Sequence, residues 1–191
     1  MHGIEPYWRW RDLYKAEEDE HSPFFEREYS EFEFTHAIYD HAIHPQWDYI
    51  GSPTLFIKIL FVDYDDGMAV IELLGEWNDT INNDVMFFKR DVIDALTKNG
   101  VYRFIIIGEN VLNFHGESED YYDEWYNDII DEGGWIAFVN FNAHVLEEIM
   151  SENIHYYMHS NQELQSLNWR KYSPDKLLVL VEDKLLRALH S

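Results

Sequence analysis

The chain has no cysteine among its 191 residues. This absence excludes disulfide bonds, thiolate metal ligands and a cysteine nucleophile. Long apolar runs are missing too, because the most apolar stretch, residues 55–62, includes Lys58 and is far too short to span a bilayer. The N-terminus shows no basic region followed by an apolar run, so no secretory signal is visible. We therefore predict a cytoplasmic protein.

Positive charge is scarce. Lys and Arg number 14 against 37 Asp and Glu, which gives a formal net charge of −23. Such a chain is unsuited to binding nucleic acid through its phosphates or to docking on an anionic membrane. Residues 104–169 hold 13 acids and no Lys or Arg, so the cations of residues 170–191 are candidates to neutralise them. The remaining acids suit either a solvated surface or a docking face for a basic protein or peptide.

Familiar catalytic motifs are absent from the sequence as well. It contains no phosphate-binding loop, dinucleotide fingerprint, nucleophile elbow or His-Glu-x-x-His motif. His36, His41 and His44 form the densest histidine cluster, and imidazole is a competent zinc ligand. Their steps of five and three residues match no established metal signature. We interpret them as caps, turn contacts or aromatic packing, with a metal site as the alternative, and we predict no cofactor.

The first 50 residues are rich in aromatic side chains and contain only five Ile or Leu. The alternation in Glu31-Phe32-Glu33-Phe34 predicts a short strand with one solvent-exposed face. Because disordered segments have few aromatics, we expect this region to be ordered against the main domain. The chain is thus divided into an N-terminal extension (1–50), an α/β domain (51–160) and a C-terminal helical segment (161–191).

Strand and helix patterns alternate from residue 55 onward. Two apolar runs flank Asp65-Asp66-Gly67, which has the chemistry of a tight hairpin turn. The later elements are predicted in the following order: a helix from about residue 82 to Asn99-Gly100, a strand at 102–107, a helix at 121–131, a strand at 135–139, a helix from Asn142, a short strand at 154–158 and a C-terminal helix opened by Ser173-Pro174. This order predicts an α/β fold with right-handed crossovers and a mixed sheet of four to five strands.

Residues 55–160 resemble a STAS domain, the fold of anti-sigma-factor antagonists and of sulphate-transporter tails. The resemblance rests on five features: Gly75 at the end of the second strand, Asn99-Gly100 at the end of the first helix, the strand Phe104–Ile107, Gly133-Gly134 before the strand at 135–139, and Asn142-Ala143-His144-Val145 at the start of the third helix. It implies a regulatory module that binds other proteins.

Signalling members of that family carry a phosphorylatable serine in an Asp-Ser motif after the third strand. In residues 114–119 only Ser118 offers a hydroxyl. It is flanked by Glu117 and Glu119, whose negative charge would repel a phosphate. The flanking charge therefore disfavours a phosphorylation switch at Ser118.

The candidate site lies in a predicted connection from Gly108 to Asp120 and in the helix that follows. This connection should emerge at the sheet edge where open α/β sheets bind ligands. The candidate partner-binding residues are Glu117, Ser118, Glu119, Asp120, Asp123 and Glu124. We predict a non-catalytic, STAS-like interaction or regulatory module whose acidic face binds a basic protein or peptide. The alternative is a small-molecule-binding protein or enzyme that uses a cleft between the N-terminal segment and the sheet.

Overall fold

A mixed five-stranded sheet organises the chain in the computed structural model, which describes residues 3–189. The sheet has the order β3-β4-β5-β6-β7, and a separate hairpin pairs β1 with β2. The strands are β1 (Ala37–Ile38), β2 (His41–Ala42), β3 (Asp48–Tyr49), β4 (Leu55–Asp63), β5 (Met68–Asn78), β6 (Arg103–His115) and β7 (Trp135–Val139). Pairing is antiparallel from β3 to β5 and parallel from β5 to β7. The predicted α/β class with a mixed sheet is confirmed.

Six α-helices accompany the sheet in the described part of the chain. They are α1 (Asp79–Asn82), α2 (Asp84–Phe87), α3 (Asp94–Lys98), α4 (Asp120–Ile130), α5 (Ala143–Ser151) and α6 (Pro174–Leu189). A π-helical stretch (Phe88–Ile93) joins α2 to α3 without a break. Within residues 3–189, no helix is both long and apolar enough to cross a membrane.

The hairpin between β4 and β5 forms as its sequence predicts. The Asp63 carboxylate accepts hydrogen bonds from the backbone N–H groups of Asp65 and Asp66 at 2.9 and 3.0 Å. Gly67 follows with a φ of +61°, a conformation that favours glycine. The turn therefore sets the register in which β4 and β5 pair.

Both faces of the sheet are buried, which explains why β5, β6 and β7 are apolar with little alternation. One face carries Ile71, Phe104 and Phe138 and packs in the same core as side chains of α2 to α5. The other face packs in a second core with α6 and two indole rings, formed by Leu60, Val70, Ile105, Val139, Trp10, Trp169, Leu177, Val181 and Leu185. The parallel strands β5 and β6 thereby end together at one edge, beside the start of α4.

The N-terminal residues contribute side chains to the cores of the sheet. Ala16, Phe24 and Ile50 belong to the core on the helical face, and Trp10 belongs to the opposite one. Other aromatics of this region remain exposed, among them Trp8, Phe32 and Tyr39.

Two predicted strands are wrong. Residues 31–34 form no strand: the chain bends at Glu31 and Phe32, where the Ser30 hydroxyl accepts hydrogen bonds from the backbone N–H groups of Phe32 and Glu33. Phe32 is 85% exposed, so its apolar ring does not mark a buried face. Residues 154–156 form a 3₁₀ turn after Asn153, which has a positive φ, and the chain reaches the sheet only at His159, through a parallel bridge to Ala137.

Candidate interaction surface

The carboxyl ends of β5 and β6 lie beside the start of α4, and the chain there differs from the prediction in one respect. The predicted connection from Gly108 to Asp120 is wrong, because β6 continues to His115 and leaves residues 116–119 as the connection. The extension exists because β5 is equally long, so that Trp77 pairs with Phe114. Gly108 does not end the strand; a side chain there would overlap the ring of Phe141.

The structure brings five of the six candidate residues to the surface of this short connection and the first turn of α4. Glu117, Ser118, Glu119, Asp120 and Asp123 are all exposed. The Ser118 hydroxyl accepts a hydrogen bond from the backbone N–H of Asp120 at 3.2 Å, which is a local turn contact at the start of the helix. Acids in the first turn also suit the positive end of the helix dipole.

Glu124, the sixth candidate, has a different environment. Its Oε2 accepts a hydrogen bond from Nη2 of Arg90 at 2.8 Å, and its Oε1 lies 3.5 Å from Nζ of Lys89. The bond from Arg90 holds the pKa of Glu124 below its usual value. Glu124 therefore fastens α4 to the π-helical stretch, and we remove it from the candidate surface.

Lys89 explains the one group of potential metal ligands in the described part of the chain. Carboxylate oxygens of Asp94, Glu124 and Asp128 lie within 4.8 Å of one another. The buried Lys89 ammonium contacts all three, with Asp128 at 2.7 Å and Asp94 closest. A protein cation thus already satisfies these acids.

Beneath the exposed acids lies a buried polar anchor that the sequence analysis missed. The Asp79 carboxylate accepts hydrogen bonds from the Tyr122 hydroxyl (2.6 Å), the Trp77 indole N–H (2.9 Å) and the backbone N–H of Val85 (2.8 Å). Burial raises the pKa of Asp79 to about 6. Only a three-dimensional arrangement brings these residues together, since Tyr122 lies 43 positions from Asp79.

A cavity of about 240 Å³ separates α1 from the acidic connection. Its lining includes Thr80, Glu117, Ser118 and Asp120. The Thr80 hydroxyl donates a hydrogen bond to the carbonyl of Gly116 at 3.0 Å, which ties α1 to the connection. Because carboxylates are acceptors only, this cavity is suited to an ammonium or guanidinium group.

Tyr157 and Glu152 extend the acidic surface toward α5. Partial burial and the charge of Glu119 raise the pKa of Tyr157. Glu152 lies so close to the connection that a Cβ on Gly116 would be 2.8 Å from its Cγ. The surface is therefore broader than the segment predicted from the sequence.

The three histidines of the predicted alternative metal site do not line the cavity beside Thr80 and have separate surroundings. The His36 ring is stacked on Tyr49, with ring centroids 4.7 Å apart and an angle of 11° between the planes. His44 lies 3.5 Å from the Glu5 carboxylate, and His41 is exposed in β2. They are not among the described residues whose ligating atoms come within 4.8 Å of one another.

His36 and His44 do share one cleft of about 390 Å³ within the N-terminal region. Its lining also includes Arg27, Glu28, Tyr29, Glu33, Trp47 and Tyr49. All of its lining residues belong to the N-terminal segment, so it differs from the predicted alternative, which is a cleft between that segment and the sheet.

No family model matches the chain, and no curated protein matches its sequence. Among solved structures, the chain is similar to a protein from Thermotoga maritima described as an anti-sigma factor antagonist, with 19% identity over 56% of this chain and 86% of that one and a TM-score of 0.40.

Proposed function

We propose that this protein is a non-catalytic, cytoplasmic interaction or regulatory module that binds a basic protein or peptide segment. The contact surface is the connection before α4 together with the first turn of that helix. The observation that supports this proposal is a contrast between neighbouring acids. Glu117, Glu119, Asp120 and Asp123 take part in no ion pair with any described residue, whereas Glu124 and Asp128 are paired with Lys89 or Arg90.

The contrast is informative because other acids of residues 104–169 form ion pairs with Lys or Arg side chains. Arg170 lies 2.6 Å from Glu109, and Lys184 lies 2.9 Å from Glu163, as the charge distribution led us to expect. Four unpaired carboxylates within seven residues produce a concentrated negative potential. Such a potential steers a positively charged partner and sets its orientation.

The chemical groups that line the cavity favour binding of a basic side chain of the partner. The cavity beside Thr80 offers the carboxylates of Glu117 and Asp120 together with hydroxyl oxygens. A lysine or arginine of the partner would enter there, while Glu119 and Asp123 contact the flanking positions. Beneath the surface, both carboxylate oxygens of Asp79 accept hydrogen bonds from protein donors. We assign this buried network the role of holding α4 in place.

The test compares two variants that each lose four negative charges. The surface variant carries Glu117→Gln, Glu119→Gln, Asp120→Asn and Asp123→Asn. The control variant carries Glu20→Gln, Glu31→Gln, Asp40→Asn and Asp91→Asn. These four acids are exposed, and none of them forms an ion pair with a described residue. Affinity for a labelled peptide of alternating lysine and serine is measured by fluorescence anisotropy. We expect the surface variant to bind about tenfold more weakly than wild type and the control to change by about twofold or less.

Salt dependence and host partners complete the test. Association with wild type should slow markedly between 0.1 M and 1 M salt, because the Debye length falls from about 10 Å to about 3 Å. Proteins recovered from the native host should differ between the surface variant and the control. If both variants lose the same affinity and retain the same partners, the acids serve only to solvate the surface.

A second candidate function rests on the cleft in the N-terminal region. The stacked rings of His36 and Tyr49 provide a flat wall, and Arg27, Glu28 and Glu33 provide polar groups around it. Such a cleft suits a small ring-bearing molecule. A fragment screen by ligand-observed NMR, repeated with Tyr49→Ala, would reveal ligands that depend on this wall; an empty screen would exclude this candidate.

A further inference from the structure

A third, smaller cavity lies between the N-terminal region and β4, and positively charged side chains are concentrated in its lining. Its volume is about 20 Å³, and its lining includes Arg11, Lys15, Glu17 and Lys58. Three of the 14 cations in a chain of net charge −23 thus converge on one small space. A cavity of this size holds one water-sized particle.

One of these cations has a buried donor without a partner, and a second is only loosely paired. Nη2 of Arg11 is buried and has no hydrogen-bond partner among the described residues. Lys58 is 7% exposed, and its ammonium lies 3.6 Å from Oδ2 of Asp48, which is longer than a normal hydrogen bond. Its other close neighbour is the ring of Tyr29, 3.7 Å from Nζ. An ammonium has three donors, so Lys58 retains bonding capacity toward the cavity.

The carboxylates around the cavity do not balance its positive charge. Glu17 is the one acid in the lining, and Asp48 approaches Lys58 from outside while also accepting a hydrogen bond from Arg27 at 2.8 Å. Lys15 is paired with the exposed Glu18. A bound water would satisfy a donor but would leave the excess charge, which is costly in a buried site.

We infer that this cavity binds a small monovalent inorganic anion such as chloride, held between Arg11 of the N-terminal region and Lys58 of β4. The anion would accept hydrogen bonds from both cations and would connect the N-terminal region to the sheet. The anion would enter from an open surface depression of about 380 Å³ that Arg11, Tyr14 and Lys15 also line. Multiatomic anions such as gluconate are too large for the inner cavity.

The test measures the melting temperature during titration with sodium chloride and with sodium gluconate at equal ionic strength. Screening of the large net charge raises the melting temperature in both salts. Chloride should produce an additional, saturable rise of about 3–6 °C at ten times its Kd, because a ligand that binds only the folded state stabilises it by mass action. Arg11→Met should abolish this difference between the salts, and Arg9→Met, an exposed neighbour, should retain it.

Two further measurements keep the inference falsifiable if Arg11→Met does not fold. Glu17→Gln removes the competing negative charge, so chloride should bind more tightly, with its midpoint lowered several-fold. In wild type, the chloride-35 NMR line should broaden and should narrow again when bromide displaces chloride. Equal responses to chloride and gluconate, or a full chloride response in Arg11→Met, would overturn the inference and leave water as the occupant.

Discussion

At the scale of single residues, Glu72 shows how burial changes the pKa of a carboxyl group. It lies within β5, is 1% exposed, and accepts a hydrogen bond from the backbone N–H of Tyr7 at 2.8 Å. Arg170 approaches it only to 3.7 Å and makes a closer contact with Glu109. Burial consequently raises the pKa of Glu72 from 4.5 to about 7.

This raised pKa predicts a pH dependence of stability. Between about pH 4.5 and pH 7 the folded protein retains the proton on Glu72 while the unfolded chain has lost it. The stability that the protonated group contributes is complete below pH 4.5 and falls by up to about 1.4 kcal/mol per pH unit until pH 7. Glu72→Gln should therefore unfold at higher urea concentration than wild type at pH 8 and at nearly the same concentration at pH 4. A constant difference across this range would show that Glu72 is ionised in the folded state throughout.

At the scale of elements, Lys89 fixes the π-helical stretch against α4. Its side chain is buried, and of the three carboxylates that it contacts, Asp94 belongs to α3 while Glu124 and Asp128 belong to α4. Lys89→Met should lower the free energy of unfolding by about 1–3 kcal/mol, because the partly exposed acids would repel one another without the ammonium. Urea unfolding gives the value, and Lys98→Met, at an exposed position, is the matched control. Equal effects of the two substitutions would contradict a structural role for Lys89.

Also at the scale of elements, local sequence patterns predict some features of the fold and miss others. Local patterns suffice for the hairpin at Asp65-Asp66-Gly67 and for the helix end at Asn99-Gly100, because the turn chemistry lies within a few residues. They fail for β6, whose last residues pair with β5 over a long sequence separation. They fail also where aromatic alternation at 31–34 has no partner strand.

The candidate site was predictable to a similar degree. The density of acids identified the surface, and charge counting indicated that residues 170–191 would return to pair some of them. No sequence pattern distinguishes Glu124, which is paired, from Asp123, which is not. That difference depends on Arg90, 34 positions earlier in the chain.

At the scale of the whole molecule, we propose that residues 1–50 stabilise the α/β domain as part of its core. Phe24 and Phe25 provide a matched pair for testing this, because Phe24 is 4% exposed within the main core and Phe25 is 41% exposed. Phe24→Ala should cost about 3–5 kcal/mol in the free energy of unfolding, and Phe25→Ala about 1 kcal/mol or less. Similar costs, together with easy proteolytic removal of the segment, would show that it folds apart from the domain.

The two borders of the sheet have a consequence for how copies of the protein behave toward one another. β3 covers one side of β4 with only two residues, and on the far side His159 exchanges backbone hydrogen bonds of 2.8 Å with Ile136 and Phe138 of β7. An open strand border is a template on which other chains add strands and aggregate. The outermost segments are themselves very short, two residues in β3 and one bridge residue at His159, so each offers few free backbone groups to another chain, and the dense negative charge adds repulsion between copies. Both features oppose fibre formation, and a chain that begins after Tyr49 should aggregate more readily because it exposes the nine-residue border of β4.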